Sequence, residues 1–157
     1  MSPQKKRNLL VLLLLILVSG LGIIWYFFNM PHRDIRKAKE DYILDASVIV
    51  SEYLQDAQKA NQKYLAEDGN SKILEVSGRV SDISEDAQGN LVVLLKETND
   101  KAGVSCTFLP EENKIISKIK KDEKIKVKGV IQSGASYDAD LDLYENVILN
   151  KCTISQK

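Results

Sequence analysis

No charged residue occurs between Leu9 and Met30, and Leu, Ile and Val dominate the run. About 20 apolar residues, rising about 1.5 Å each, cross the roughly 30 Å hydrocarbon core of a bilayer. The stretch therefore predicts a single transmembrane helix over residues 9–30. Trp25, Tyr26, Phe27 and Phe28 crowd its far end, where amphipathic rings favour the headgroup level, and Pro31 stops the helix. The competing reading is a cleaved signal peptide. Its apolar core would run only about 7–15 residues and end at an Ala-x-Ala-like site. Cleavage at Ser19–Gly20 would leave an apolar, aromatic new terminus instead.

A span divides the chain into a short basic tail (1–8), the helix (9–30), a juxtamembrane segment with an amphipathic helix (31–70) and a domain (71–157). Lys5, Lys6 and Arg7 are three of the 22 basic residues, so 19 remain against 22 acidic residues beyond the tail. That balance is not the basic surface of a protein built for a phosphate backbone. Orientation is nearly balanced under the positive-inside rule, since Arg33, Arg36, Lys37 and Lys39 follow the span.

Beyond the span, Ala46, Ile49, Val50, Tyr53, Leu54, Ala57, Ala60, Tyr64 and Leu65 recur at helical spacing. Asp45 reads as the N-cap and Gly69 as the stop. The opposite face is polar with mixed charge, unlike the Lys/Arg-rich face of a membrane-lying helix, so the apolar stripe is expected to pack on the adjacent domain.

The remainder reads as five strands and a short helix. Lys72–Ile83 is long, with Gly78 marking a bulge or bend. Leu91–Lys96 is almost continuously apolar. Gly103–Leu109 alternates, Val104, Cys106 and Phe108 pointing one way and Ser105 and Thr107 the other. "EENKIISKIKK" offers a short helix with Ile115, Ile116 and Ile119 for the core. Residues 123–132 alternate again, with Ile125, Val127 and Ile131 opposite Lys124, Lys126 and Lys128. "SGASYDAD" reads as a long turn, and a last strand runs over 146–154. This order is that of a five-stranded Greek-key OB-fold barrel; a β-sandwich would want about seven strands. The fold class expected is an N-terminal transmembrane helix, then a mainly β domain with a preceding α-helix.

The stretches "PHRDI", "ANQKYL", "ILEVSGRVSDI", "GVSCTF", "KIKVKGVI" and "NKCTI" resemble the tRNA_anti-like family of OB-fold proteins, which are often membrane-tethered and bacterial. The resemblance implies the architecture. Its name implies nucleic-acid binding only by analogy of fold.

In such a barrel the third and fifth strands are neighbours. Cys106 and Cys152, the two cysteines, are expected to face inward and to form a disulfide, which would place the domain outside the cytoplasmic membrane, in a periplasm. The alternative is two buried thiols acting as small hydrophobes.

Single-strand binders combine a basic groove with aromatic platforms on strands two and three. Here "LVVLLK" has no aromatic residue, and Glu85, Asp86, Asp138, Asp140 and Asp142 make the flanking loops acidic. Nucleic acid is therefore not the expected partner; the lysine strip Lys124, Lys126 and Lys128 is its one candidate site, on a domain tethered to the cytoplasmic face. His32 is the single histidine, and "YDADLDLYE" lacks EF-hand spacing. No enzyme, metal site or cofactor is expected. The expectation is a membrane-anchored binding or scaffold module of the cell envelope, taking an oligosaccharide, peptide or protein on Ser105, Thr107, Tyr137, Asp138, Asp140 and Tyr144.

Overall fold

The computed structural model describes residues 34–66 and 70–155, together with Gln4, Ser19, Gly20, Gly22 and Trp25, which are helical. Among the described residues no helix is long and apolar enough to cross a membrane. The expected span, 9–30, lies almost wholly outside them. Residues 1–33 and 34–157 form two compact units, and the second holds the fold described below.

Its elements are β1 (Tyr42–Asp45), α1 (Ala46–Gln55), α2 (Ala57–Tyr64), β2 (Ile73–Glu85), β3 (Leu91–Leu95), β4 (Val104–Phe108), α3 (Asn113–Ile116), β5 (Lys124–Ser133), β6 (Ser136–Asp138), β7 (Leu143–Glu145) and β8 (Val147–Ile154). The sheet order is β1-β2-β3-β4-β8-β5, and β2 pairs again with β5. Strands β2, β3, β4, β8 and β5 thus close into the expected five-stranded barrel. Closure removes the open edges that an isolated sheet would expose. β1 is an addition to that plan, pairing in parallel with β2 from Tyr42 opposite Leu74 to Asp45 opposite Ser77.

Strict alternation fills the barrel. Val93 and Leu95 on β3, Val104, Cys106 and Phe108 on β4, Val127 and Ile131 on β5, and Val147 and Leu149 on β8 are all buried. The amphipathic helix caps the same core, contributing Ala46, Ile49, Val50, Tyr53, Ala60 and Tyr64. Burial of each large apolar side chain stabilises by roughly 2 kcal/mol.

That helix is two helices rather than one. The break falls at Asp56 (φ −155°, ψ 87°), whose carboxylate accepts from the Lys59 N–H at 3.0 Å and caps α2. Asp45 occupies the N-cap position of α1 but makes no capping bond, because its carboxylate accepts from the Ser77 hydroxyl instead. Gly69 lies outside the described residues. An aromatic clasp joins the helices to β1. Tyr64 meets Tyr42 edge-on at 5.2 Å and stacks on Tyr53 at 6.1 Å, while its hydroxyl donates to Glu52 at 2.8 Å.

Gly78 does not mark the bulge in β2, which falls between Val80 and Asp82. A Cβ at Gly78 would lie 3.0 Å from Leu95 Cβ and 3.1 Å from Ala46 Cβ, so the glycine lets α1 lie close against the barrel. Of Ile115, Ile116 and Ile119, all expected for the core, Ile116 is buried, Ile119 packs partly buried against the core and Ile115 is exposed. The stretch 133–140, expected as a long turn, instead holds the end of β5 and the first strand of the β6–β7 hairpin, which runs on to Glu145.

Residues 34–41 lie against the barrel. Ile35 is buried, Arg36 pairs with the nearly buried Glu112 at 2.8 Å, and Glu40 pairs with Lys128 at 3.5 Å. Asp41 N–H donates to the Ile73 carbonyl at 2.8 Å, and its carboxylate accepts from Ile73 N–H at 2.8 Å.

The expected disulfide is absent: Cys106 and Cys152 are free, buried thiols. The two thiols are neighbours in the core, but their strands do not oppose them directly. β4 and β8 run parallel, and Cys106 stands opposite Leu149 while Cys152 stands opposite Phe108. Two steps along β4 match three along β8, the extra residue being accommodated where Lys151 adopts φ 54°, a left-handed bulge conformation. Each thiol instead approaches a backbone carbonyl, Cys106 that of Val104 at 3.8 Å and Cys152 that of Leu149 at 3.5 Å.

Candidate binding surface

The strands whose inner faces build the core present an unusual outer face. Ser105 stands opposite Leu94 on one side and Ile148 on the other, and Thr107 stands opposite Val92. All are half-buried or exposed, and Ile148 is 38% exposed. Solvated faces of antiparallel sheets ordinarily alternate to polar residues. Across β3 and β4 this face carries aliphatic and hydroxyl side chains and no charge, and Ile148 extends it onto β8; further along β8 the exposed Lys151 bounds it.

The β6–β7 hairpin stands at one end of the face. Its root is fixed by close packing: a Cβ at Gly134 would lie 1.9 Å from the Tyr53 ring, so only glycine lets the chain cross that ring. Ala135 is buried behind it. At the other root the Asn146 side chain accepts from Gly103 N–H at 2.7 Å, and Val147 N–H donates to the Gly103 carbonyl at 3.0 Å. The hairpin is thereby tied to the start of β4.

On the hairpin Tyr137 pairs with Tyr144 across the ladder, ring centroids 4.8 Å apart and tilted by 44°. Lys101, from the β3–β4 turn, places its Nζ 5.3 Å from the Tyr144 ring centre, a cation–π contact. Tyr137 donates to Asp142 at 2.6 Å, and that bond raises its phenol above the ordinary value. The tip is held by Asp138, which accepts from the N–H groups of Asp140 at 2.9 Å and Leu141 at 3.1 Å. Leu141 and Leu143 are exposed at 66% and 42%.

Of the residues expected from the sequence, Tyr137, Asp138, Asp140 and Tyr144 share the hairpin, and Ser105 and Thr107 share the outer face of β4. Val92, Leu94, Ile148, Leu141, Leu143 and Lys101 were not among them. The signal for the first two was in "LVVLLK": apolar residues at both parities mean that one set faces outward if the strand belongs to a small barrel. The lysine strip is arranged differently. Lys126 faces Glu75 at 3.8 Å, Lys128 faces Glu40 at 3.5 Å, and exposed Lys124 stands opposite Arg79. Burial pushes the Cys152 thiol well above its ordinary value, and a hydrogen bond and charge interaction with neighbouring Cys106 add to the shift.

A closed barrel of this strand order, with a short helix between the third and fourth barrel strands, defines an OB-fold protein. The tRNA_anti-like family profile matches residues 1–153, and the chain belongs to the tRNA_anti-like family. No curated protein matches it. Among solved structures it is similar to OBody NL8 bound to hen egg-white lysozyme, at 17% identity and a TM-score of 0.37, over 54% of this chain and 96% of that one. So slight a likeness decides nothing about ligand.

Proposed function

We propose that the protein is a non-enzymatic binding or scaffold module, anchored in the cytoplasmic membrane by residues 9–30, that takes an envelope polypeptide or glycan on the outer face of β3, β4 and β8 and on the β6–β7 hairpin. The observation that carries this reading is the uncharged outer face of β3 and β4, continued by Ile148 and running up to a tyrosine-bearing hairpin. Surfaces of this kind desolvate cheaply, whereas charged faces do not. The basic residues flanking the span, Lys5, Lys6 and Arg7 before it and Arg33, Arg36, Lys37 and Lys39 after it, are nearly balanced and favour neither side; the extracytoplasmic side is part of the proposal. The cysteines no longer bear on it. The nucleic-acid alternative is disfavoured by the carboxylates that face Lys126 and Lys128, which already offset the charge a phosphate would need.

The test is photo-cross-linking in intact cells expressing the full chain, with the photoreactive residue at Thr107, at Tyr137, or on the opposite side at Lys124. Adducts from the first two positions and not from the third are expected. Adducts from Lys124 alone would overturn the proposal.

A further inference from the structure

The hairpin carries Asp138, Asp140, Asp142 and Glu145, and among the described residues none of them is in an ion pair. Asp138 is bonded to backbone N–H groups, Asp142 to the Tyr137 hydroxyl and Glu145 to the Ser136 hydroxyl. On the other flank the pattern is reversed, with Glu40, Glu75, Glu97 and Glu112 each facing a lysine or arginine. The acids of the hairpin adjoin the apolar strip, and Lys101, the cation near them, lies over the Tyr144 ring and is in no ion pair with them. Such a surface is complementary to a partner that is both basic and apolar.

The strip also has a repeat. Leu94, Ser105 and Ile148 form one row across the strands, and Val92 and Thr107 form the next, two residues further along. Two strand residues span about 7 Å, which is also the interval at which an extended chain presents alternate side chains. Together these observations carry one step past the proposed function, on which it rests. We infer that the occupant of this face is an extended basic polypeptide segment, its apolar side chains on the Val92–Leu94–Ile148 strip and its lysines or arginines at the hairpin carboxylates.

The test uses full-length protein in detergent micelles and fluorescence anisotropy with two labelled peptides of about ten residues, one alternating Lys and Val, the other Glu and Val. The Lys/Val peptide is expected to bind, to weaken as salt is raised, and to lose about tenfold in affinity in D140N/D142N/E145Q, the combined effect of three exposed attractions. Leu141→Ser, at an exposed position that the fold does not depend on, should weaken it as well. The Glu/Val peptide should bind at least about tenfold more weakly. Equal binding of the two peptides, no binding of the Lys/Val peptide, or full affinity in the triple variant would each overturn the inference. Cross-linking at Thr107 reports the face whatever occupies it. Adducts there alongside equal peptide binding would keep the face and remove this occupant.

Discussion

The two outer flanks of the barrel obey the same alternation and end up opposite in character. On the β2–β5 flank, Glu75, Arg79, Lys126 and Lys128 point outward and the charges meet partners, while residues 34–41 lie alongside and contribute Glu40. On the β3–β4–β8 flank the outward positions of β3 and β4, with Ile148, are aliphatic or hydroxyl-bearing, Lys151 lies at the far end, and among the described residues the hairpin carboxylates are in no ion pair. The first flank is completed by the chain itself. The second has the composition of a surface completed by something else. Exposed ion pairs contribute little to stability, about 0–1 kcal/mol each, so the contrast concerns which surface is available for binding more than which holds the fold.

The largest expected effect tests how the open flank is built. Gly134→Ala would drive a Cβ into the Tyr53 ring, 1.9 Å away, and should destabilise by about 3 kcal/mol in chemical denaturation. In a Tyr53→Ala background the same change should cost clearly less, because the two positions share one clash; an equal cost in both backgrounds would show that the hairpin root is held by something else. Next comes the closed flank. Arg36→Met removes the partner of Glu112, whose side chain is only 7% exposed while that of Arg36 is 49% exposed. The half-exposed arginine discounts the loss to about 1–2 kcal/mol. Glu145→Gln on the open flank should stay within about 0.5 kcal/mol. Similar costs for these two would erase the distinction between the flanks.

Much of this was legible beforehand, for a physical reason. Alternation at period two is imposed by the barrel wall, so Val104, Cys106 and Phe108 declare themselves in six letters, as do Ile125, Val127 and Ile131. Register is not written locally. The left-handed turn at Lys151 slides Cys152 past Cys106, and nothing in "NKCTI" announces it. The helix break at Asp56 was hidden because the apolar spacing continues through it. Asp34 to Asp41 falls in the expected juxtamembrane segment, and its ion pairs with Glu112 and Lys128 join residues far apart in sequence. The hairpin acids and tyrosines were visible as composition; that they adjoin an uncharged face follows from topology alone.

A smaller effect is expected from titrating the clasp that lies between the helices and β1. Burial pushes the Tyr53 phenol up to about 12, above its ordinary 10.0. A value raised in the folded state means that this stabilisation is complete below about 10 and is lost as pH rises toward 12. Burial raises the Tyr64 phenol as well, so absorbance of tyrosinate should show both clasp phenols ionising with the alkaline unfolding transition. Burial raises the Glu52 carboxyl, but hydrogen bonds from Lys63 and Tyr64 outweigh it and hold the group below its ordinary 4.5. Its contribution is present above about 4.5 and lost as pH falls through the folded-state value. Glu52→Gln should flatten the acid limb of the stability profile; an unchanged acid limb would mean that other carboxylates set it.

The smallest effect on folding belongs to the change that bears most directly on binding. Ile148 is 38% exposed on the open flank, so Ile148→Lys should alter stability by no more than about 0.5 kcal/mol. It nevertheless places a charge in the middle of the uncharged strip, between Ser105 and the hairpin. A bound partner would have to desolvate that ammonium without a carboxylate opposite it, which is costly in a closed interface. Cross-linking from Thr107 should then fall sharply while the melting temperature holds. Undiminished cross-linking would show that the strip is not covered in the complex. Its aliphatic side chains would then be the scattered exposed residues that any small domain tolerates, and the difference between the two flanks would lie in the hairpin alone.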